Sequence, residues 1–303
     1  MSQKKLFLVV NPYSGRAKMR TELLSVTEVF SNGGYEVLVY PTKCRTDATR
    51  KVAELSADDI DLIVVCGGDG TLNEVICGVM TAGLSIPIGY NPCGTLNEWS
   101  AGLKISRNIT TAAQDIVNGR EVPLDIGQFE DKYFSYTASF GAFTEVSYSA
   151  PQDVKNVLGQ AAYFFEGIKS LGNIRPIPLT VHAEGKEIEG DFLFGAVTNS
   201  MSVGGIVKFD EAMVKLNDGK FEVLLIHNPT NLLQFQNILD GVLRKDLNRD
   251  GIEFFHCNQI TFESPESIDW TLDGEFSAGV SPLHIANLHH AIRFIVPNDC
   301  STQ

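Results

Sequence analysis

Three short runs in the first third of the chain set glycines beside hydroxyl, amide and carboxylate side chains, each directly after a strand-like segment. The most specific is Cys66-Gly67-Gly68-Asp69-Gly70-Thr71-Leu72-Asn73-Glu74, which follows the apolar run Leu62–Val65 and precedes the helix-like Val75–Met80. Paired glycines let a backbone come close to a polyphosphate. The helix start behind them offers unpaired N–H groups at the positive end of its dipole. Taken alone, Asp69 fits an Asx turn and Asn73 a polar place in a first helical turn. The whole Gly-Gly-Asp-Gly-Thr run is far rarer than a lone glycine pair, and it points to phosphate binding. Asn11-Pro12-Tyr13-Ser14-Gly15 follows Leu6–Val10, and Asn91-Pro92-Cys93-Gly94-Thr95-Leu96-Asn97-Glu98 follows Ile86–Tyr90. Each alone is an ordinary turn. Three such loops at one edge of one sheet point to a nucleotide cleft rather than to three unrelated turns.

The elements that must position these loops alternate. Leu6–Val10, Glu36–Tyr40 and Leu62–Val65 have strand character, while Arg20–Phe30 and Asp47–Leu55 have helical spacing. That βαβαβ order predicts a mainly parallel sheet covered by helices, with ligand loops beyond the carboxyl ends of its strands. Beyond about Val122 the texture becomes a series of short β segments: Phe134–Ser139, Leu179–His182, Phe192–Val197, Phe221–Ile226, Ile252–Phe255, Ile260–Phe262, Ile268–Leu272 and Ile292–Val296. Glu184-Gly185, Asp218-Gly219 and Asp273-Gly274 read as turns between several of them, and helices are expected near Val154–Leu171 and Asn231–Leu243. The expected fold class is therefore α/β plus all-β. An α/β nucleotide domain over residues 1–124 precedes a β-sandwich or open barrel over 125–303.

Composition narrows the functions these loops could serve. The chain has 303 residues, 44% hydrophobic and 20% charged, enough for two ordinary cores. A net charge of −13 argues against general nucleic-acid binding. That charge is uneven: residues 1–51 carry nine Lys/Arg against four Asp/Glu, either a solvated helix face or a basic surface for phosphates or an anionic leaflet. No apolar stretch approaches a bilayer span, and Met1-Ser2-Gln3-Lys4-Lys5 leads straight into a strand, so a soluble, cytoplasmic protein is expected. Cys44, Cys66, Cys77, Cys93, Cys257 and Cys300 form no C-x-x-C pair and have no His at metal spacing, which predicts reduced thiols rather than zinc or disulfides.

Together, Asn-Pro-x-Ser-Gly, Gly-Gly-Asp-Gly-Thr-x-Asn-Glu and Gly-Thr-x-Asn resemble the diacylglycerol kinase catalytic domain family, which includes bacterial lipid kinases and sphingosine kinases. The resemblance continues through Asn199, Gly204-Gly205, Ala212 and Leu216-Asn217-Asp218-Gly219-Lys220 to Leu272-Asp273-Gly274-Glu275. It implies an α/β nucleotide domain followed by a β-sandwich, with the active site between them. One departure stands out. Where the family continues Gly-Thr-x-Asn with an acid, an aromatic residue and Ala-Arg, this chain has Glu98-Trp99-Ser100-Ala101-Gly102 and lacks the arginine.

By this resemblance, ATP would be contacted by Asn11, Pro12, Tyr13, Ser14 and Gly15, by Thr42, by Gly67, Gly68, Asp69, Gly70, Thr71, Leu72 and Asn73, and by Thr95. Glu275 is similar to the family's general base and Asp273 to its close partner, with Asp69 a third candidate catalytic carboxylate. From spacing alone, Asp273-Gly274 is a hairpin turn. Asp218, with the carbonyls of Lys215 and Lys220, is similar to a structural Mg²⁺ site away from the reaction centre, and an Asp-Gly turn holding water has the same pattern. The implied activity is transfer of the γ-phosphoryl group of ATP, with Mg²⁺, to the hydroxyl of diacylglycerol or a related lipid. The implied partners are a lipid at the inner membrane surface, met peripherally, and optionally a second copy of the chain. Two rivals share part of this pattern: an NAD kinase, and a non-catalytic lipid or nucleotide sensor on the same fold.

Overall fold

The computed structural model describes residues 3–17, 19–95, 97–141, 175–203, 207–210 and 212–300. The chain divides into two compact units, residues 1–126 with 289–303, and residues 127–288.

The first unit runs β1 (Lys4–Val10), α1 (Met19–Asn32), β2 (Tyr35–Pro41), α2 (Asp47–Ala53), β3 (Leu62–Gly67), α3 (Asp69–Ala82), β4 (Ile88–Pro92), α4 (Glu98–Gly102) and α5 (Ile109–Asn118), and then enters β5 (Arg120–Phe129). β2 and β3 flank β1, and β4 lies beyond β3, all in parallel register. Parallel strands covered by helices on their faces must be apolar along their length. Accordingly β3 is buried at every residue and β1 is buried from Leu6 to Val10. Met19, Val26 and Phe30 of α1 and Ile109, Ala113 and Ile116 of α5 pack with Leu6, Leu8, Leu62 and Val64 into one core.

The second unit is antiparallel. Its strands are β6 (Lys132–Phe134), β7 (Thr137–Gly141), β8 (Ile177–Ala183), β9 (Lys186–Thr198), β10 (Ser202–Val203), β11 (Val207–Lys208), β12 (Phe221–His227), β13 (Ile252–Cys257), β14 (Gln259–Glu263), β15 (Ile268–Leu272), β16 (Glu275–Gly279) and β17 (Leu283–Val296), with helix α6 (Leu232–Arg244) after β12. β9 organises it. The first half of β9 pairs with β8, and its second half runs between β7 and β12. Phe134, Phe140, Phe192, Phe221, Phe262 and Trp270 fill one core, and Leu224, Ile226, Ile238 and Val242 seat α6 in another.

The expected α/β plus all-β architecture is the one observed. The helix expected over Asn231–Leu243 is α6, and the one expected near Val154–Leu171 lies outside the described residues. One strand boundary differs. The run expected as one strand, Phe134–Ser139, is broken at Ser135-Tyr136 because those backbone N–H groups point at a carboxylate instead of a neighbouring strand. The chain turns at Asp218-Gly219 before β12, as expected. The last strand takes a partner that the sequence did not indicate: at the end of β17, Phe294 pairs with Ile88 of β4 in parallel register. Apolar alternation marks a strand but does not name its partner.

Candidate active site

In the first unit β1 sits between β2 and β3, so the chain leaves β1 toward one side and returns to its other side. At such a switch point the loops beyond the carboxyl ends of the two strands diverge and leave a crevice, where open α/β sheets bind ligands. The loops after β1 and β3 are Asn11–Gly15 and Gly67–Thr71. Asn11 ties them together, donating its backbone N–H to the Cys66 carbonyl at 2.9 Å and its side-chain amide to Thr71 Oγ1 at 3.0 Å. Asn11 Oδ1 accepts the Tyr13 N–H at 3.0 Å, and its carbonyl accepts the Ser14 N–H at 3.2 Å. Thr42, at the end of β2, donates its N–H to Val10 at 2.8 Å and so joins the same edge.

The glycines are required by contact. A Cβ on Gly67 would lie 2.6 Å from Thr71 Cβ. One on Gly94 would lie 2.6 Å from Gly68 Cα, and the Cys93 N–H donates to the Gly67 carbonyl at 2.7 Å, so the loops after β3 and β4 pack backbone to backbone. Gly15, at φ +54°, has no room for a side chain because the Cys93 carbonyl stands against it. By contrast, a Cβ on Gly70 would meet nothing within 4 Å. Gly68 is the N-cap of α3 and supplies no side-chain cap. The loop thus runs into the start of a fourteen-residue helix whose Thr71 N–H turns back to the Gly68 carbonyl at 3.0 Å, and the positive end of the helix dipole there favours an anion such as phosphate. Asp69 begins this helix half-buried, with its carboxylate 3.5 Å from the Tyr90 hydroxyl, while Leu72 is buried in the core. Asn73 Oδ1 accepts the Cys77 thiol at 3.7 Å, and Thr95 and Tyr13 are exposed.

Residues that the sequence reading left out of the site hold these loops in shape. Asn97, left-handed at φ 51° and buried, accepts Tyr90 Oη at 3.1 Å and the Gly94 N–H at 2.9 Å, and returns its amide to the Gly94 carbonyl. Burial, reinforced by Asp69 nearby, pushes the Tyr90 phenol far above its ordinary range, so it serves as a neutral donor. Glu74 caps α2 from a distance, accepting the Thr46 and Ala48 N–H groups, because the N-cap residue Thr46 makes no side-chain cap of its own.

In the second unit Asp273 and Gly274, at φ 49° and 86°, form the two-residue turn between β15 and β16. The Asp273 side chain does more than turn the chain. Buried at 7% exposure, its Oδ2 accepts Ser135 N and Oγ at 2.5 and 2.8 Å, and its Oδ1 accepts Tyr136 N and Thr137 N at 3.0 and 2.9 Å. Burial pushes its carboxyl up to about 6, against the pull of these four donors. The bonds anchor the turn from which Glu275 begins β16 exposed, opposite Leu272. No sequence signal links Asp273 to Ser135, 138 residues earlier.

Asp218 lies exposed in the turn before β12, with Oδ1 accepting the Lys220 N–H at 3.0 Å. This Asx turn offers a hard oxygen donor of the kind Mg²⁺ takes. Lys215 and Lys220 are exposed on the same turn. The cysteines form no disulfide among the described residues: Cys66, Cys93, Cys257 and Cys300 are buried, and burial raises the Cys66 thiol and pushes Cys257 up to about 12, as in inert structural thiols.

The fold is an α/β unit with glycine-lined loops at a switch point followed by a β-rich unit, and comparison with known proteins narrows its class. Residues 5–129 match the diacylglycerol kinase catalytic domain, and residues 138–296 match the YegS C-terminal NAD kinase beta sandwich-like domain. The chain is 33% identical over 302 residues to a diacylglycerol kinase of Bacillus subtilis strain 168, covering 99% of each. It is 29% identical over 300 residues to a diacylglycerol kinase of Staphylococcus aureus strain RF122, covering 98% of this chain and 94% of that one. A crystal structure of a diacylglycerol kinase from Bacillus anthracis strain Sterne superposes with a TM-score of 0.78, covering 99% of this chain and 100% of that one; at 23% identity this likeness speaks to the fold alone. The chain belongs to the diacylglycerol kinase catalytic domain family of kinases.

Proposed function

We propose that the protein transfers the γ-phosphoryl group of ATP to the hydroxyl of diacylglycerol or a related lipid, giving phosphatidic acid or its equivalent. The observation that carries this reading is the switch point, where Asn11 stitches two loops and α3 starts at Gly68 without a side-chain cap, with room for a Cβ at Gly70. That helix start suits the phosphates of a nucleotide, with Ser14, Thr42 and Thr95 as further polar contacts. Magnesium bound with the nucleotide supplies neutralisation of the charge on the transferred phosphoryl. Glu275 accepts the proton of the lipid hydroxyl as its oxygen bonds to phosphorus and the bond to the departing ADP breaks. Asp273 positions Glu275 through the hairpin. Asp218, with the Lys215 and Lys220 carbonyls, would hold a second, structural magnesium.

Such an enzyme works on the cytoplasmic face of the inner membrane, where its lipid is. No helix among the described residues is long and apolar enough to cross a membrane, so that contact is peripheral in this reading. The test incubates the full chain with γ-labelled ATP, Mg²⁺ and a panel of lipid hydroxyls, with NAD alongside. Label in a lipid product that requires Mg²⁺ is the expected result. Label in NADP alone would replace the reading with that of an NAD kinase, and label in no acceptor would leave a sensor on a kinase fold.

A further inference from the structure

We propose that Asp125, His289 and His290 form a site for a transition-metal dication of the zinc type, separate from the magnesium chemistry above. All three residues lie in the first unit, Asp125 at the end of its first stretch of chain and the histidines at the start of its second. One ligand atom from each comes within 4.8 Å of the other two; among the described residues this is the group of His, Cys, Asp and Glu that meets that condition. Asp125 is fully buried on β5, and its Oδ1 receives His289 Nδ1 at 3.0 Å and the His290 N–H at 2.8 Å.

The backbone is bent to make this cluster. Neighbouring residues of a strand point to opposite faces, yet the rings of His289 and His290 stack, with centroids 3.6 Å apart. The cause is His290, which sits at φ 53° inside β17. A left-handed non-glycine residue in a strand costs free energy and persists where the surroundings impose it, which makes it a marker of sites.

The donor set selects the ion. Imidazole and carboxylate together suit zinc, nickel or cobalt, while magnesium keeps to oxygen and water. Whether Asp125 binds the ion or orients His289 from behind, its carboxylate beneath an imidazole is the usual support of such a ligand. Access exists as well: both histidines are exposed, and His290 lines a pocket of about 280 Å³ with Leu84, Ser85 and Arg293. The sequence hid this site because Asp125 and His289 are 164 residues apart.

The competing account is a plain Asp125–His289 ion pair, and metal titration separates the two. The full chain carrying Cys44→Ser, which removes the exposed thiol, is titrated with Zn²⁺ against a chromophoric chelator in excess Mg²⁺, and with Co²⁺ by its visible absorption. Saturable binding of one ion per chain is expected. His289→Ala and His290→Ala should each weaken it about tenfold or more, with unchanged circular dichroism because both side chains are exposed. Absence of saturable binding, or an affinity unaltered in the His289→Ala/His290→Ala double variant, would overturn the proposal.

Discussion

Burial of the Asp273 carboxylate sets two effects against each other. Desolvation disfavours the anion, while four donors from Ser135, Tyr136 and Thr137 favour it. Desolvation is the larger and takes the carboxyl from 3.8 to about 6. The folded protein therefore holds this proton more tightly than the unfolded chain does. The group's contribution to stability is full below about pH 4, is lost as pH rises toward about 6, and is level above that. Asp273→Ala cannot titrate there. The stability advantage of the wild type over this variant, from denaturant unfolding, should be about 2 kcal/mol greater at pH 4.5 than at pH 7.5. An advantage that grows with pH would mean that the hydrogen bonds outweigh burial. Spacing reveals the Asp273-Gly274 turn, since both positions need positive φ, but the anchoring role depends on a partner strand far away in the chain.

Between elements, what decides the site is how the loops after β1, β3 and β4 meet. Paired glycine after an apolar run and before a helix reads in the sequence as a phosphate loop, and it stands at the start of α3. The division of labour among the glycines was not legible there, since it depends on which backbone passes which. Gly94 is packed against Gly68, so Gly94→Ala should push two backbones apart and lower thermal stability together with nucleotide affinity. Gly70 touches nothing within 4 Å and stands at the open end of α3. Gly70→Val should therefore keep the melting temperature of the wild type while weakening ATP binding by calorimetry about tenfold or more, roughly the loss of 1.4 kcal/mol. Unaltered affinity in that folded variant would remove the helix start from the site. The strands themselves followed the sequence wherever burial is two-sided, as in β3. They departed from it where a side chain captured backbone donors, as Asp273 does at Ser135.

Across the whole molecule, charge and chemistry divide along the chain. The net charge is −13, yet residues 1–51 are basic, and Arg20 of that segment lies 5.4 Å over the ring of exposed Tyr13. A lipid kinase of this design would meet an anionic surface through such cations, each worth roughly 1 kcal/mol near the membrane. Replacing Arg16, Lys18 and Arg20 with Glu should weaken co-sedimentation with anionic vesicles and reduce its salt dependence. No change in either would return those residues to an ordinary solvated face. The most direct test is the rate of γ-phosphoryl transfer to diacylglycerol by Glu275→Gln at saturating ATP, with ATP affinity measured on the same protein. A general base contributes about 10²–10⁴-fold, so kcat should fall by that factor while ATP affinity stays near that of the wild type. A near-normal kcat in the folded variant would contradict the account and move the search for the base to the other carboxylates, Asp69 first.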